Sequence, residues 1–117
     1  PALRNVSLTA PYGHNGAYPT LKGIIKQHLD PTKMNKNWKP AYANLPNAPW
    51  LEQIDFVTFS DKREQDRILS SINIKPVDLD EKEIDLLVLF LESLTGKSGN
   101  QRPLGKPIKV PSGLTID

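Results

Sequence analysis

The chain has 117 residues, of which 24% are charged and 38% hydrophobic, a composition that suits one small domain or part of a larger one. Its net charge of +2, with lysines dispersed along the sequence, excludes a strongly basic nucleic-acid-binding surface, and no apolar run approaches the ~18 residues of a membrane span. The absence of cysteine excludes disulfide bonds and thiolate metal sites, and the first four residues do not have the pattern of a signal peptide.

The N-terminal part of the chain predicts an ordered loop followed by a short helix. Three prolines and two glycines over residues 1–19 prevent a regular element there. A helix is predicted over 20–29, because Thr20 is a suitable N-cap and the following apolar residues recur at helical spacing. Pro31 should end this helix, since the residue before a proline is disfavoured in the α conformation.

The middle of the chain predicts mostly irregular structure. Three prolines with polar spacers indicate a long loop over 30–47. A helical turn is predicted around 49–54, followed by a polar helix over 61–72 that Ser60 would cap. Residues 73–78 then form an extended connector that contains a proline.

The clearest helix is predicted over 80–95. Asp80 and Glu83 have the spacing of a capping box, and Gly96 is expected to end the helix in the left-handed conformation. The middle turns are apolar on nearly every side and therefore require contacts on several sides. With an extended tail over 97–117, the sequence predicts a mainly α chain with long irregular loops.

The two histidines carry most of the chemistry in this sequence, and each allows two interpretations. His28 shares a helix face with Leu21 and Ile24, so it is expected to point inward, either as a core histidine bonded to a carbonyl or as a ligand of a metal or haem iron. His14 lies in the loop as an exposed turn residue or as a group that contacts a cofactor. Zinc is a poor choice, because two histidines without cysteine leave two ligands to be found among scattered carboxylates.

Several segments together form a pattern typical of one protein family. They are Leu3-Arg4-Asn5-Val6, Leu8-Thr9-Ala10-Pro11-Tyr12, His14-Asn15-Gly16, Thr20-Leu21, Phe90-Leu91-Glu92-Ser93-Leu94-Thr95-Gly96 and Val110-Pro111-Ser112-Gly113-Leu114. The pattern resembles the C-terminal haem domain of bacterial di-haem cytochrome c peroxidases and of the related MauG-type enzymes of methylamine utilisation, with a weaker match over 31–75. The resemblance implies that 1–117 is the C-terminal part of a cytochrome c-like haem domain. Residues 1–19 would then form a loop at the haem and the domain interface, and 20–29 the helix that carries an axial ligand.

The resemblance also implies roles for individual residues. The distal axial ligand of the family, usually methionine or tyrosine, falls at His28, which implies a bis-histidine haem of low reduction potential; Met34 is the alternative ligand. Arg4 is expected to pair with a haem propionate, and His14 to lie near the haem edge.

The cofactors that the resemblance implies are haem c and calcium. The haem would be anchored by a Cys-x-x-Cys-His motif outside this sequence, and backbone carbonyls of Thr9 and Pro11 would bind calcium between two haem domains.

The implied function is electron transfer within a periplasmic peroxidase that reduces hydrogen peroxide, with the isolated chain inactive. The alternatives are a haem-binding electron-transfer module without peroxidase activity, and MauG-type oxidation of a protein or small-molecule substrate. The implied partners are the rest of the same di-haem protein and a small electron-donor redox protein, with a homodimer as a further option.

Overall fold

The computed structural model describes residues 3–45, 47–97 and 99. Within this part the chain is helical and has no named strand, which confirms the mainly α class. The α-helices are α1 (Leu21–Leu29), α2 (Pro31–Asn37), α3 (Val57–Ser60), α4 (Lys62–Ser71) and α5 (Glu81–Ser93). Short 3-10 helices span Val6–Leu8, His14–Gly16 and Pro40–Tyr42. Apart from Lys97 and Gly99, the predicted tail lies outside the described residues.

Two helices occur where the sequence predicted one helix and a loop. α1 begins after Thr20 as expected, with the Thr20 hydroxyl accepting a hydrogen bond from a backbone N–H of the first turn. At the end of α1, however, the Asp30 carboxylate accepts a hydrogen bond of 2.9 Å from the backbone N–H of Lys33. Pro31 occupies the first turn of the new helix α2, so the prediction of one long loop over 30–47 is wrong at its start. An Asp-Pro pair ends one helix and is equally suited to begin another.

The polar helix predicted over 61–72 is present as α4. Its N-cap is Asp61, whose carboxylate accepts a hydrogen bond of 2.9 Å from the N–H of Arg63, and not Ser60 as predicted. Ser60 instead ends α3, a four-residue helix that follows a series of turns over 49–56. The Asp61 carboxylate also interacts favourably with the helix dipole, which the Ser60 hydroxyl cannot do to the same extent.

The start of α5 agrees with the sequence, but its end does not. Asp80 and Glu83 form the predicted capping box, in which each backbone N–H donates to the carboxylate of the other residue at 2.8 Å. The C-cap is Leu94 at φ −76°, and Gly96 does not have a positive φ, so the predicted left-handed stop is wrong. The N–H of Gly96 donates instead to Oδ1 of Asn5 at 2.7 Å, because the N-terminal segment lies against this end of the helix.

The core of the described part lies where α1 packs against α5. Leu21 is 8% exposed and Ile84 is 5% exposed, and the turn Val6–Leu8 also contacts α5. Large apolar residues elsewhere on α5 remain exposed, so the expected contacts on several sides of this helix are not present among the described residues. In the same part of the chain, no helix combines the length and the apolar character that crossing a membrane requires.

Ion pairs reinforce the contact between α1 and α5. Lys22 Nζ lies 2.6 Å from Asp85 Oδ1 and 2.9 Å from Glu81 Oε2, and Lys26 Nζ lies 2.6 Å from Glu81 Oε1. Hydrogen bonds from Lys26 and then Lys22 lower the pKa of Glu81 to about 2. The bonds that Lys22 makes with Asp85 and Glu81 raise the pKa of this lysine. The folded state therefore favours the charged form of both partners.

Replacing Glu81 with glutamine should remove a pH-dependent part of the stability. Because folding lowers the Glu81 pKa from its ordinary 4.5 to about 2, the stabilisation is present above 4.5 and is lost as the pH falls toward 2. We expect the melting temperatures of wild type and Glu81→Gln to differ near neutral pH and to converge near pH 2. The pairs are exposed, so the difference should be small and should shrink in about 1 M salt. Glu52→Gln, at an exposed site without an ion pair in the described part, is the control; identical pH profiles for Glu81→Gln and wild type would contradict the role of these pairs.

Candidate functional site

The described part contains an open cleft of about 940 Å³, bordered by α1, α2, α3, α4 and the turn His14–Gly16. This volume is at the upper end of the range of about 300–1,000 Å³ that is common for ligand sites. Most of its wall is apolar or aromatic, and the large residues in this part include Tyr18, Ile24, Trp38, Phe56, Phe59 and Ile68. The cleft can therefore accommodate a large ligand with an apolar body.

Trp38 connects the N-terminal loop to the opposite wall of the cleft. Its indole N–H donates a hydrogen bond of 2.9 Å to the carbonyl oxygen of Ala17. Its ring centroid lies 5.1 Å from that of Phe59 in an edge-to-face arrangement and 6.2 Å from that of Phe56. Such aromatic contacts stabilise the wall beyond simple burial, and the hydrogen bond satisfies the only donor of the indole.

The described part of the loop, residues 3–19, forms defined turns, as predicted, and it holds His14 at the edge of the cleft. Tyr12 and Tyr18 exchange two backbone hydrogen bonds of 2.7 and 3.0 Å, which close the loop at its base. Between them, Asn15 and Gly16 both have positive φ values, 53° and 69°. His14 is exposed, and it lines the cleft from this closed turn.

Replacing Gly16 with alanine should open this turn. At φ +69° a side chain is strained, and a Cβ atom would lie 2.9 Å from Pro11 Cγ and 3.0 Å from the carbonyl oxygen of Asn44. We expect the free energy of unfolding in urea to fall by more than about 1 kcal/mol. Gly96→Ala is the matched control, because Gly96 lacks a positive φ and its Cβ would approach no atom closer than 3.4 Å. A Gly16→Ala variant as stable as Gly96→Ala would show that the loop does not need this conformation.

His28 lies in the cleft with one ring nitrogen already fixed. Its Nδ1 lies 2.9 Å from the carbonyl oxygen of Ile24, and since a carbonyl can only accept, Nδ1 carries a proton. In the neutral ring Nε2 then carries no proton, and its lone pair is free to bind a metal ion. The prediction that this side chain points inward is wrong, because His28 is exposed. Leu21, Ile24 and His28 share one face of α1. Leu21 is buried, whereas Ile24 and His28, nearer the C-terminal end of the helix, line the cleft.

Met34, the alternative ligand, is on α2 and not in a loop. Its side chain is half-buried, and Met34 is not among the described residues that line the cleft, whereas the next residue, Asn35, is. The structure thus brings His14 and His28 to one cleft and places Met34 outside its lining.

The remaining predicted site residues lie in different surroundings. Pro11 lines the cleft, and Thr9 is exposed. In the described part of the chain, no hydrogen bond uses the carbonyl oxygen of either residue. Arg4 is exposed, and its guanidinium lies beside Gly96 at the end of α5, away from the cleft lining. Over residues 3–45, 47–97 and 99, no group of three or more histidine, aspartate or glutamate side chains could hold a metal ion.

The aromatic wall was not identified from the sequence. Trp38 falls in a segment predicted to be a loop, Phe56 is the N-cap of the short helix α3, and Phe59 lies within that helix. The local signal for this wall is weak: Trp38, Phe56 and Phe59 occur in a proline-rich stretch without a clear helical or strand periodicity.

Comparison with known proteins gives one relative. The chain is 35% identical over 99 residues to the methylamine utilization protein MauG of Paracoccus denitrificans (strain Pd 1222). The aligned region is 83% of this chain but 22% of the relative, so the chain spans about a fifth of the length of that protein. No family model and no solved structure matches the chain significantly. The similarity supports the resemblance found in the sequence, which is to the di-haem cytochrome c peroxidase and MauG-type family, and it covers only a segment of MauG.

Proposed function

We propose that the chain is the C-terminal, electron-transfer haem-binding segment of a periplasmic di-haem protein that reduces hydrogen peroxide. The similarity to MauG supports a haem module, and the size and apolar wall of the cleft are compatible with a macrocycle. The chain spans 22% of the relative, so the peroxidatic centre would lie in another part of the same protein. By itself, this chain would bind and orient the cofactor without peroxidase activity.

The residues of the cleft suit a haem. A haem has a large apolar face, and the cleft has an aromatic wall together with one imidazole whose Nε2 is available. When bound, the haem iron supplies reversible one-electron transfer. The chain's own contribution would be to hold the macrocycle with Trp38 and Phe59, to exclude water from the site, and to present Nε2 of His28 to the iron.

The hydrogen bond between His28 Nδ1 and the Ile24 carbonyl is the observation that carries this proposal. Metal-binding histidines typically donate their other ring N–H to a carbonyl or carboxylate, which fixes the tautomer and the ring orientation. We therefore assign the axial position to His28 and not to Met34, which lies outside the cleft lining. With a histidine from the attachment motif as the second ligand, the haem would be bis-histidine and of low reduction potential.

The other site roles are proposals that rest on the resemblance. His14, at the cleft edge, would lie near the haem edge and the domain interface. The carbonyl oxygens of Thr9 and Pro11 would bind calcium, for which such hard oxygen ligands are suitable. Arg4 would reach a propionate only if that group extends beyond the cleft, because the guanidinium lies beside Gly96. The proposed partners are the rest of the same protein, a small electron-donor redox protein and hydrogen peroxide, with a homodimer as an option.

A second candidate is MauG-type oxidation of a protein or small-molecule substrate. It is favoured by the similarity to a methylamine utilization protein. A third is an electron-transfer module without peroxidase activity. Consumption of hydrogen peroxide with a reduced electron donor separates the first candidate from both of the others.

The haem content of the protein expressed from its complete gene tests the proposal. We expect a pyridine haemochrome spectrum of haem c, two haems per protein by mass, and a Cys-x-x-Cys-His motif upstream of Pro1. A protein without covalent haem, or a gene without that motif, would overturn the haem function.

A further inference from the structure

The polar part of the cleft wall consists largely of neutral amides. Among the described residues that line the cleft there is no lysine or arginine, and Asp55 is the one acidic residue. The lining has five amide side chains, which belong to Asn15, Gln27, Asn35, Asn44 and Gln65. A group with acceptor oxygens that enters the cleft would therefore meet amide N–H donors and not a guanidinium.

Asn35 differs from the other four amides because one end of its side chain is enclosed by the wall. Its Oδ1 is buried and accepts no hydrogen bond in the described part of the chain. Its Nδ2 also makes no hydrogen bond there, but it is not an unpartnered buried atom, so it is the accessible end of the amide. Since Asn35 lines the cleft, the cleft is where a partner can reach this nitrogen.

The orientation of the Asn35 amide is unfavourable for a residue that only fills the wall. A buried acceptor without a donor destabilises the folded state, and such groups are rare in native proteins. An apolar side chain of similar shape would fill the same space without this cost. A binding role for the opposite end of the amide explains why asparagine occupies the position, because only Nδ2 offers donors to the cleft.

The neighbourhood of Asn35 indicates the kind of group that it binds. Asn35 lies one helical turn before Trp38, so the two side chains are on the same side of α2. Trp38 belongs to the aromatic wall, and a ligand that packs its apolar body there would bring a peripheral polar group to Asn35. In a haem these peripheral groups are the two propionates. Arg4, the residue expected to bind a propionate, has its guanidinium beside Gly96 and away from the cleft lining.

We propose that Asn35, and not Arg4, binds a propionate of the cofactor, with Nδ2 donating a hydrogen bond to a carboxylate oxygen. This role rests on the proposed haem function and adds one residue to the same cleft. The carboxylate is then held by a neutral donor without a counter-charge in the described lining.

Resonance Raman spectra of the protein expressed from its complete gene test this role, because the propionate bending bands of a haem respond to hydrogen bonds at the carboxylate. Asn35→Leu keeps the approximate shape and removes the donor, so a propionate band should shift to lower frequency in the difference spectrum against wild type. Asn37→Leu is the matched control, because Asn37 is exposed on the same helix and is not in the described lining. Arg4→Leu, like this control, should leave the bands unchanged. Unchanged bands in Asn35→Leu, or a shift in Arg4→Leu alone, would overturn the proposal.

Asn35→Asp covers the case in which leucine prevents incorporation of haem. Aspartate has the shape of asparagine, but its carboxylate would repel a propionate and favour the ferric state. The midpoint potential of this haem should therefore fall below that of Asn37→Asp, which changes the net charge by the same amount. Equal potentials in the two variants would remove Asn35 as the propionate partner and leave the haem function intact. A wild-type protein without a haem spectrum would overturn both.

Discussion

Replacing His28 with alanine in the haem-containing protein should convert a six-coordinate, low-spin ferric spectrum into a five-coordinate or high-spin one. The reason is the geometry at the end of α1: the Ile24 carbonyl holds Nδ1 at 2.9 Å, so Nε2 would be the nitrogen available to coordinate the haem iron. Loss of that nitrogen leaves one axial position to water or to no ligand. Optical and electron paramagnetic resonance spectra of the ferric protein measure the change.

Two variants control this experiment. Met34→Leu removes the only other residue assigned as a candidate ligand and should leave the spin state unchanged, since Met34 lies outside the cleft lining. His14→Ala removes the other histidine of the cleft and should also preserve the low-spin spectrum. A low-spin spectrum in His28→Ala together with its loss in Met34→Leu would transfer the axial role to the methionine.

Replacing Ile84 with alanine should cause the largest loss of stability in the described part of the chain. Ile84 is 5% exposed where α5 packs against α1, and truncating a buried isoleucine to alanine costs about 2–5 kcal/mol. The free energy of unfolding in urea measures the loss. With so few fully buried residues nearby, the remaining contacts cannot fill the cavity, so partial unfolding of α5 should accompany it.

Ile74→Ala is the matched control for this prediction. Ile74 has the same side chain, but it is 58% exposed in the connector between α4 and α5. Its truncation should change the stability by no more than about 0.5 kcal/mol. Equal losses in the two variants would contradict a core located between α1 and α5.

The helix starts were predictable where the signal is local. Thr20 and the Asp80–Glu83 capping box each satisfy N–H groups within a single turn, so sequence spacing alone identifies them. Asp30 and Pro31 were interpreted only as the end of α1, whereas the same two residues also begin α2. At Gly96 the prediction failed because a tertiary contact with Asn5, and not a left-handed glycine, completes that end of α5.

The site was only partly predictable. His28 was identified from its helical position, but whether its face meets the core or a cleft depends on how the later helices pack. Trp38 and Phe59 come together from segments separated by one short 3-10 helix, a proline-containing loop and a series of turns. No local pattern encodes the distance of 5.1 Å between their ring centroids. Arg4 was predicted to contact the same haem, but its guanidinium lies beside Gly96, because the N-terminal segment packs against the C-terminal end of α5.

The most direct test of haem ligation by His28 is to count the histidine nitrogens bound to iron. The protein is labelled with ¹⁵N-histidine, and electron–nuclear double resonance is recorded on the ferric haem of this domain. Ligation by His28 predicts coupling to two axial imidazole nitrogens in wild type and to one in His28→Ala. One axial histidine nitrogen in the wild type, with the sixth position filled by sulfur or oxygen, would contradict it.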